Sequence, residues 1–258
     1  MLPQLLIAIL LQAPAMAINV KGHVEMKIGP TPIQLTRFVA VPDSATVITY
    51  ENSFASLRLF SGSLVRMGPN TQLLIKQLNY KKPVGKRHES LSVKVGHIWA
   101  GVLRLIGSES KFEIETPNAI AGVRGTSFFV SATPEASNFV VGDGSLAIAI
   151  GEREVLLDEK GASVTIGPDG FIPLSKISDA ELKALFERVG GAAAVNGVSY
   201  PTIIAATTTS DEAAREAWRN ELMRPDLLID TPFLGTTSWS PSLTTTNLTV
   251  QVNIPTAN

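Results

Sequence analysis

Apolar and polar residues alternate with a period of two in short runs through most of this chain. Val24, Met26 and Ile28 alternate with charged residues, and similar runs recur up to about residue 175. Glycine, proline, asparagine and aspartate interrupt these runs at spacings of roughly 8–12 residues, as turn-forming residues do. A side-chain period of two is the period of a β-strand, so the pattern predicts about a dozen short strands.

The arrangement of these runs predicts the fold class. No long helical pattern separates one run from the next, so parallel βαβ units are disfavoured. We therefore predict a mainly β fold, an antiparallel β-sandwich or β-roll, over residues 18–175. Residues 97–105 are apolar on nearly every side, which is typical of a segment buried on both faces.

The pattern changes to that of a helix after the predicted strands. Ser178 is a suitable N-cap, an acidic first turn follows it, and Leu182 and Phe186 fall on one helical face. Two glycines then end the pattern. The sequence predicts a short amphipathic helix over residues 178–189, as part of a small C-terminal helical extension.

A second helix is predicted over residues 210–223, which completes a two-helix extension over residues 176–223. The remaining residues, 224–258, are rich in Thr, Ser, Pro and Asn. This composition favours an extended polar tail with at most a short strand, over residues 247–254.

The start of the chain predicts export. Residues 5–11 are apolar, and Ala15 and Ala17 form the small-x-small pattern that precedes a signal-peptidase cut. We expect a signal peptide over residues 1–17, although no Lys or Arg precedes its apolar core. A membrane span needs roughly 20 apolar residues, so no transmembrane span is expected after cleavage. A retained anchor and a buried strand or helix remain as alternatives.

Composition excludes several classes of function. The chain has 22 Lys and Arg against 23 Asp and Glu, and this balance argues against a nucleic-acid partner. It has no cysteine, which excludes disulfides, thiol catalysis and cysteine zinc sites. An exported protein without cysteine has to be stabilised by packing alone.

The most informative run is at residues 116–130, where an arginine lies between glycines in an otherwise uncharged segment. Gly122 and Gly125 suit positions that need positive φ or a close backbone approach. Arg124 has two interpretations, a structural arginine bound to carbonyls or carboxylates, or a cation that binds a carboxylate ligand. We favour a structural role for the motif residues Thr116, Pro117, Gly122, Arg124, Gly125 and Thr126.

No residue is predicted to be catalytic or to bind a metal or cofactor. Ser108 and Lys111 match Ser-x-x-Lys, but this copy precedes a strand and lacks its companion motifs. The three histidines, His23, His88 and His97, are far apart in sequence and lack metal-ligand spacing. We therefore predict a protein that is not an enzyme.

Two surface features are weaker binding candidates. A basic cluster in a predicted hairpin loop could bind a polyanion such as an acidic glycan, or it could be a solvated loop tip. Trp239 in the polar tail could contact a partner, whereas Trp99 is expected in the core and Trp218 on the second helix. The basic cluster consists of Lys81, Lys82, Lys86 and Arg87.

Several segments of this sequence occur in the same order in a known family. The run Ala-Gly-Val-Arg-Gly-Thr at residues 121–126 is quite specific, and the weaker matches surround it. Ser61 stands where the family usually has Asp. Over roughly residues 20–170, the sequence resembles the FecR domain, a periplasmic sensor-type domain. The matching segments are residues 57–67, 69–73, 91–102, 116–128 and 143–146.

The resemblance implies a role in the bacterial cell envelope. We expect a periplasmic or secreted sensing, binding or scaffold module that holds a protein or glycan partner. FecR regulators of transcription have a cytoplasmic anti-sigma segment and a membrane helix before this domain, and here only a leader precedes it. The alternative is a membrane-anchored FecR-type signalling regulator of a transport or sigma-factor system.

Overall fold

The computed structural model describes residues 15–59, 61–81, 86–102, 111–123, 125–168, 170–191, 194–195 and 198–199. Seventeen strands in these ranges form one continuous hydrogen-bonded system, and β18 (Ala194–Val195) pairs with β19 (Val198–Ser199) separately. The seventeen strands are β1 (Ala15–Lys21), β2 (Val24–Ile28), β3 (Thr31–Gln34), β4 (Ala40–Val41), β5 (Thr46–Thr49), β6 (Phe54–Leu59), β7 (Leu64–Met67), β8 (Thr71–Lys81), β9 (Lys86–Gly101), β10 (Lys111–Glu115), β11 (Ile120–Val123), β12 (Ser127–Ala132), β13 (Ser137–Asp143), β14 (Leu146–Ile150), β15 (Arg153–Leu157), β16 (Ala162–Gly167) and β17 (Gly170–Lys176).

The strands form two sheets that share β9. Sheet A has the order β4-β1-β6-β7-β9-β12-β13-β16-β17. Sheet B has the order β3-β2-β5-β8-β9-β10-β11-β14-β15. The prediction of a mainly β fold with a short C-terminal helix is confirmed.

The long strand β9 passes from one sheet to the other at Gly96. Val95 still pairs with Gln72 of β8 in sheet B, whereas Gly96 pairs with Ala132 of β12 in sheet A. Gly96 has a φ of 104°, and its neighbour His97 accepts and donates backbone hydrogen bonds with the Thr71 hydroxyl. The glycine therefore provides the backbone conformation that the crossing requires.

One strand pair departs from the predicted antiparallel pattern. β10 pairs with the first half of β9 in parallel, with Lys111 opposite His88, and the other pairs described are antiparallel. β9 leads the chain from sheet B into sheet A. The chain returns to sheet B at β10, which lies beside the first half of β9 and runs in the same direction. Alternation along one strand carries no information about the direction of its neighbour.

Alternating residues of both sheets form one hydrophobic core. A cross-strand row in sheet A joins Met67, Ile98, Val130, Phe139 and Val164 at successive paired positions. All five side chains are buried in the same core cluster as inward-facing residues of sheet B. The period of two seen in the sequence is therefore the alternation between this core and the outer faces.

The predicted amphipathic helix is confirmed as α1 (Asp179–Arg188), with Ser178 as its N-cap. Its buried residues are Leu182 and Phe186. The Phe186 ring meets Trp99 of β9 edge to face, with ring centroids 5.2 Å apart. The helix thus packs on the outer face of sheet A, which explains why the segment around Trp99 is apolar on both sides.

Replacing Ser178 with alanine is expected to lower the free energy of unfolding by about 1 kcal/mol. Ser178 and Glu181 form a capping box in which each side chain binds the other residue's backbone N–H. The loss corresponds to a melting temperature lower by roughly 2–4 °C. Ser175→Ala, at an exposed position on β17, is the control. Equal melting of the two variants would contradict a stabilising cap.

Several expectations concern the two ends of the chain. The second predicted helix, at residues 210–223, and the polar tail lie outside the described residues. Residues 15–17, which contain the predicted cleavage pattern, belong to β1, where Ala15 and Ala17 are buried. In the described part of the chain, no helix has the length and apolarity to cross a membrane.

Candidate functional site

A groove of about 520 Å³ lies on the outer face of sheet A beside the C-terminus of α1. It is open along one side, and strands β9, β12, β13 and β16 form its floor. We call it the sheet A groove. Its lining residues are Pro69, Asn70, Val95, Gly96, His97, Ser131, Ala132, Thr133, Ala136, Asn138, Thr165 and Arg188.

Strand register creates the floor of this groove. His97 pairs with Ser131, Ser131 with Asn138, and Asn138 with Thr165, so one polar row crosses four strands. The neighbouring row on the same face contains the buried side chains of Trp99, Phe129 and Val140. Because α1 packs on the Trp99 row and ends at Arg188, the polar row beyond it stays open.

Hydrogen bonds hold the floor side chains in place. Nδ1 of His97 and Oγ of Ser131 are 2.8 Å apart. Nδ2 of Asn138 donates to Oγ1 of Thr165 at 2.9 Å and to Oγ of Ser163 at 3.1 Å. These contacts restrict the rotamers of groups that face the groove, so a ligand would meet a preformed surface.

The electrostatics of the groove are set by one cation and one neutral imidazole. Burial lowers the pKa of His97, and the positive charge of Arg188 lowers it further. His97 is therefore neutral at physiological pH and presents one donor and one acceptor nitrogen. None of the ion pairs found among the described residues includes Arg188, whereas the adjacent Glu187 faces Lys183 at 4.0 Å. The groove thus suits a ligand that carries an acidic group beside Arg188 and accepts or donates hydrogen bonds along the polar floor.

The lowered pKa of His97 predicts a pH-dependent stability. Because the folded-state pKa lies below the ordinary value of 6.5, the unfolded chain binds more protons below that pH. We expect the melting temperature to fall as the pH is lowered from about 8 to about 5, and this slope to be smaller in His97→Gln. His23→Gln, at an exposed histidine, is the control. An unchanged slope in His97→Gln would contradict the assignment.

The described residues of the motif at 116–126 form hydrogen bonds in the β10–β11 turn and with the β13–β14 turn. Thr116 closes the β10–β11 turn through hydrogen bonds with Ala119, and Pro117 lies within that turn. The hydroxyl of Thr126 is buried and binds the backbone of Ser145, donating to its carbonyl at 2.6 Å. These contacts are structural ones. Arg124 lies outside the described residues.

The two motif glycines have different roles. Gly125 has a φ of 64°, as predicted. Gly122 lies in β11 without positive φ, and a Cβ added there would meet only the Ala147 carbonyl oxygen, at 3.8 Å. The predicted need for positive φ or close approach is therefore wrong for Gly122, because the neighbouring strand leaves room for a side chain.

The other candidates do not converge on the groove. Lys81 pairs with Lys86, and Arg87 with Tyr80, at the far end of the predicted hairpin in sheet B. Lys82 and Trp239 lie outside the described residues. Among the residues that the structure describes, no group of three metal-binding side chains occurs. The histidines contact different partners, which are Glu25 for His23, Glu113 for His88 and Ser131 for His97.

Sequence reasoning missed the groove itself. Ser131, Asn138 and Thr165 occupy the polar positions of alternating strands, where a solvent-facing residue is the ordinary interpretation. In the sequence, His97 lacks metal-ligand spacing and Arg188 falls within the predicted helix, so neither residue stands out as part of a site. The only available signal was the number of neutral polar residues at these alternate positions, and it cannot show which strands are neighbours.

The fold and the groove together define a mainly β domain of two sheets with a capping helix. Residues 45–147 match the family model described as FecR protein. These residues therefore form a FecR domain, and the resemblance noted in the sequence is confirmed over this range.

Two solved structures are similar to part of the chain. Both are crystal structures of a candidate anti-sigma factor from Parabacteroides distasonis, at 17% and 18% sequence identity, each with a TM-score of 0.45. The match covers 54% of this chain and 62% and 63% of those chains, so it spans less than two thirds of their length. No curated protein matches the chain.

Proposed function

We propose that this FecR-domain protein is a non-enzymatic, exported module that senses or holds a protein or glycan partner in the bacterial cell envelope. The observation that carries the proposal is the sheet A groove, which lies on the outer face of the domain. Its polar floor is fixed by hydrogen bonds, and Arg188 lies at its edge. Such a surface recognises a partner without needing to change shape.

The contacts of His97 favour binding over hydrolysis. A serine–histidine pair is present, since Ser131 Oγ and His97 Nδ1 are 2.8 Å apart. In hydrolases of this type a carboxylate orients the imidazole. In the described chain no carboxylate hydrogen-bonds to His97, and the charge that acts on it is the positive one of Arg188. The pair therefore lacks the group that would make it a catalytic base.

A photo-crosslinking amino acid introduced in place of Thr133 tests the binding role in living cells. Thr133 lines the groove and is exposed, so the substitution removes only the hydrogen bonds of its hydroxyl with Ala136 in the same turn. We expect a discrete crosslinked product at this position, none at the exposed control position Glu51, and a weaker product when Arg188 is changed to Gln. Equal products at both positions would overturn the proposal.

Hydrolysis is tested separately, with the purified protein and a panel of activated esters and glycosides. The proposal predicts no turnover above that of Ser131→Ala. If the unmodified protein turned over a substrate and Ser131→Ala did not, the protein would be an enzyme and the binding proposal would be wrong.

The membrane-anchored regulator is a second candidate. The FecR-family match and the apolar segment at residues 5–11 both favour it. Intact-mass measurement of the protein from a periplasmic fraction separates the two, because a cut after Ala17 leaves a chain that begins at Ile18. Protein that stays in washed membranes with residues 5–11 attached would support the anchored regulator.

The mature terminus also has a structural consequence. A cut after Ala17 would remove Ala15 and Met16, the two β1 residues that pair with β4. It would also remove the backbone hydrogen bonds that Ala17 forms with Phe38 and Val39. The intact mass therefore also reports whether this edge of sheet A is complete in the exported protein.

A further inference from the structure

The described part of the two sheets has four edge strands, and three of them resist the addition of another strand. β3 contains Pro32 and β17 contains Pro173, and a proline has no N–H to donate to an incoming strand. β4 has only two residues. Each of these features limits edge-to-edge pairing.

The fourth edge strand, β15, has no neighbour on its outer side among the described residues. It has five residues, Arg153–Leu157, contains no proline, and pairs only with β14 among the described residues. One side of its backbone therefore presents N–H and C=O groups that an added strand could bind. Val155 and Leu157 face the core, so the outward side chains of β15 are Glu154 and Leu156.

The outward face of this edge is acidic around one apolar residue. Leu156 is 58% exposed, and Glu152, Glu154 and Asp158 are exposed around it. In the ranges that the structure covers, none of these three carboxylates forms an ion pair; the nearby Glu159 binds Lys176 at 2.8 Å.

Behind the edge, the paired positions on β14 and β11 form a surface of low relief. They are Ala147 and Gly122 beside Leu156, and Ala149 and Ile120 beside Glu154. An added strand would lie on the opposite side of β15 from β14, so its outward side chains would stand beside Glu154 and Leu156.

A second copy of this chain is a poor occupant of the edge. Antiparallel pairing of two β15 strands about Val155 would place Glu152 opposite Asp158 of the other copy. In the same pairing, Glu154 of one copy would be the diagonal neighbour of Glu154 of the other copy. Like charges that face each other across a strand pair are destabilising. A strand carrying Lys or Arg at its outward positions would instead meet opposite charges.

We propose that β15 is a docking edge for an extended basic peptide segment of a partner protein, which adds to sheet B as a further strand. Backbone hydrogen bonds supply the pairing, Glu154 and its neighbouring carboxylates select Lys or Arg, and Leu156 contacts the aliphatic stem of one of these basic side chains. This site is separate from the sheet A groove, and the inference does not depend on what the groove binds.

Fluorescence anisotropy with the whole protein tests this docking edge. The probes are three labelled octapeptides: alternating Lys and Val, alternating Glu and Val, and the Lys–Val peptide with alternate amides N-methylated. We expect the first to bind at least about tenfold more tightly than the other two. Glu154→Lys should weaken its binding by a similar factor, whereas Glu51→Lys, an equal charge change at an exposed turn, should not.

Several results would overturn the proposal. Undiminished binding of the N-methylated peptide would mean that charge alone attracts it, and an equal loss in Glu51→Lys would mean that the attraction is not local to β15. Sedimentation of the protein alone gives a further check, because dimerisation abolished by Glu154→Lys would assign the edge to a second copy. Thermal melting of each variant confirms that it is folded before binding is compared.

Discussion

Replacing Gly96 with alanine is expected to lower the free energy of unfolding by roughly 3–5 kcal/mol, among the largest effects of any single change in this protein. The residue has a φ of 104°, which an alanine rarely adopts. An added Cβ would also lie 2.5 Å from the Thr71 Cα, and this backbone atom cannot move aside as a flexible side chain could. The melting temperature should fall by roughly 6–20 °C.

Gly170→Ala is the matched control for this prediction. Gly170 has nearly the same φ, 103°, but no atom lies within 4 Å of the position that its Cβ would occupy. It should therefore cost only about 1 kcal/mol, the price of the backbone conformation alone. If the two variants melt at the same temperature, the crossing of β9 between the sheets is not as closely packed as the structure indicates.

Trp99→Ala is expected to destabilise the protein by about 3–5 kcal/mol. Trp99 is fully buried between sheet A and α1, and its ring packs edge to face against Phe186. The substitution would leave a cavity that the helix and the sheet cannot close without moving. Chemical denaturation at equilibrium measures the loss, and the midpoint should shift without a large change in slope.

The same substitution should also loosen the helix. Phe186 loses its main aromatic contact, so α1 should become more sensitive to proteolysis than the sheets are. Leu174→Ala, at a residue that is 61% exposed, is the control and should change stability by less than about 0.5 kcal/mol. Uniform proteolysis of the variant would contradict a specific role of Trp99 in holding the helix.

Much of the local structure could be predicted from the sequence because its causes are local. Alternation along β2 and β9 follows from the pleat of a strand, in which neighbouring side chains face opposite sides. The N-cap at Ser178 and the apolar stripe of Leu182 and Phe186 lie within one short segment, and they determined where the helix begins and which face it buries.

The candidate site could not be predicted in the same way. His97, Ser131, Asn138 and Thr165 come from four strands, and each alone has the pattern of an ordinary outward-facing residue. Their register, and the end of α1 at Arg188, bring them together in one groove. The motif around Gly125 was recognisable in sequence, and its described hydrogen bonds hold turns in place instead of forming this groove.

By itself, the sequence determined the type of domain, its mainly β composition, and the position of its first C-terminal helix. Only the tertiary structure decided that β9 belongs to both sheets, that β10 runs parallel to it, and that β15 is an edge strand of the described sheets. The physical reason is that periodicity and capping depend on neighbours within a few residues. Strand order and register depend on packing between segments far apart in the chain, and the same alternation is compatible with many pairings.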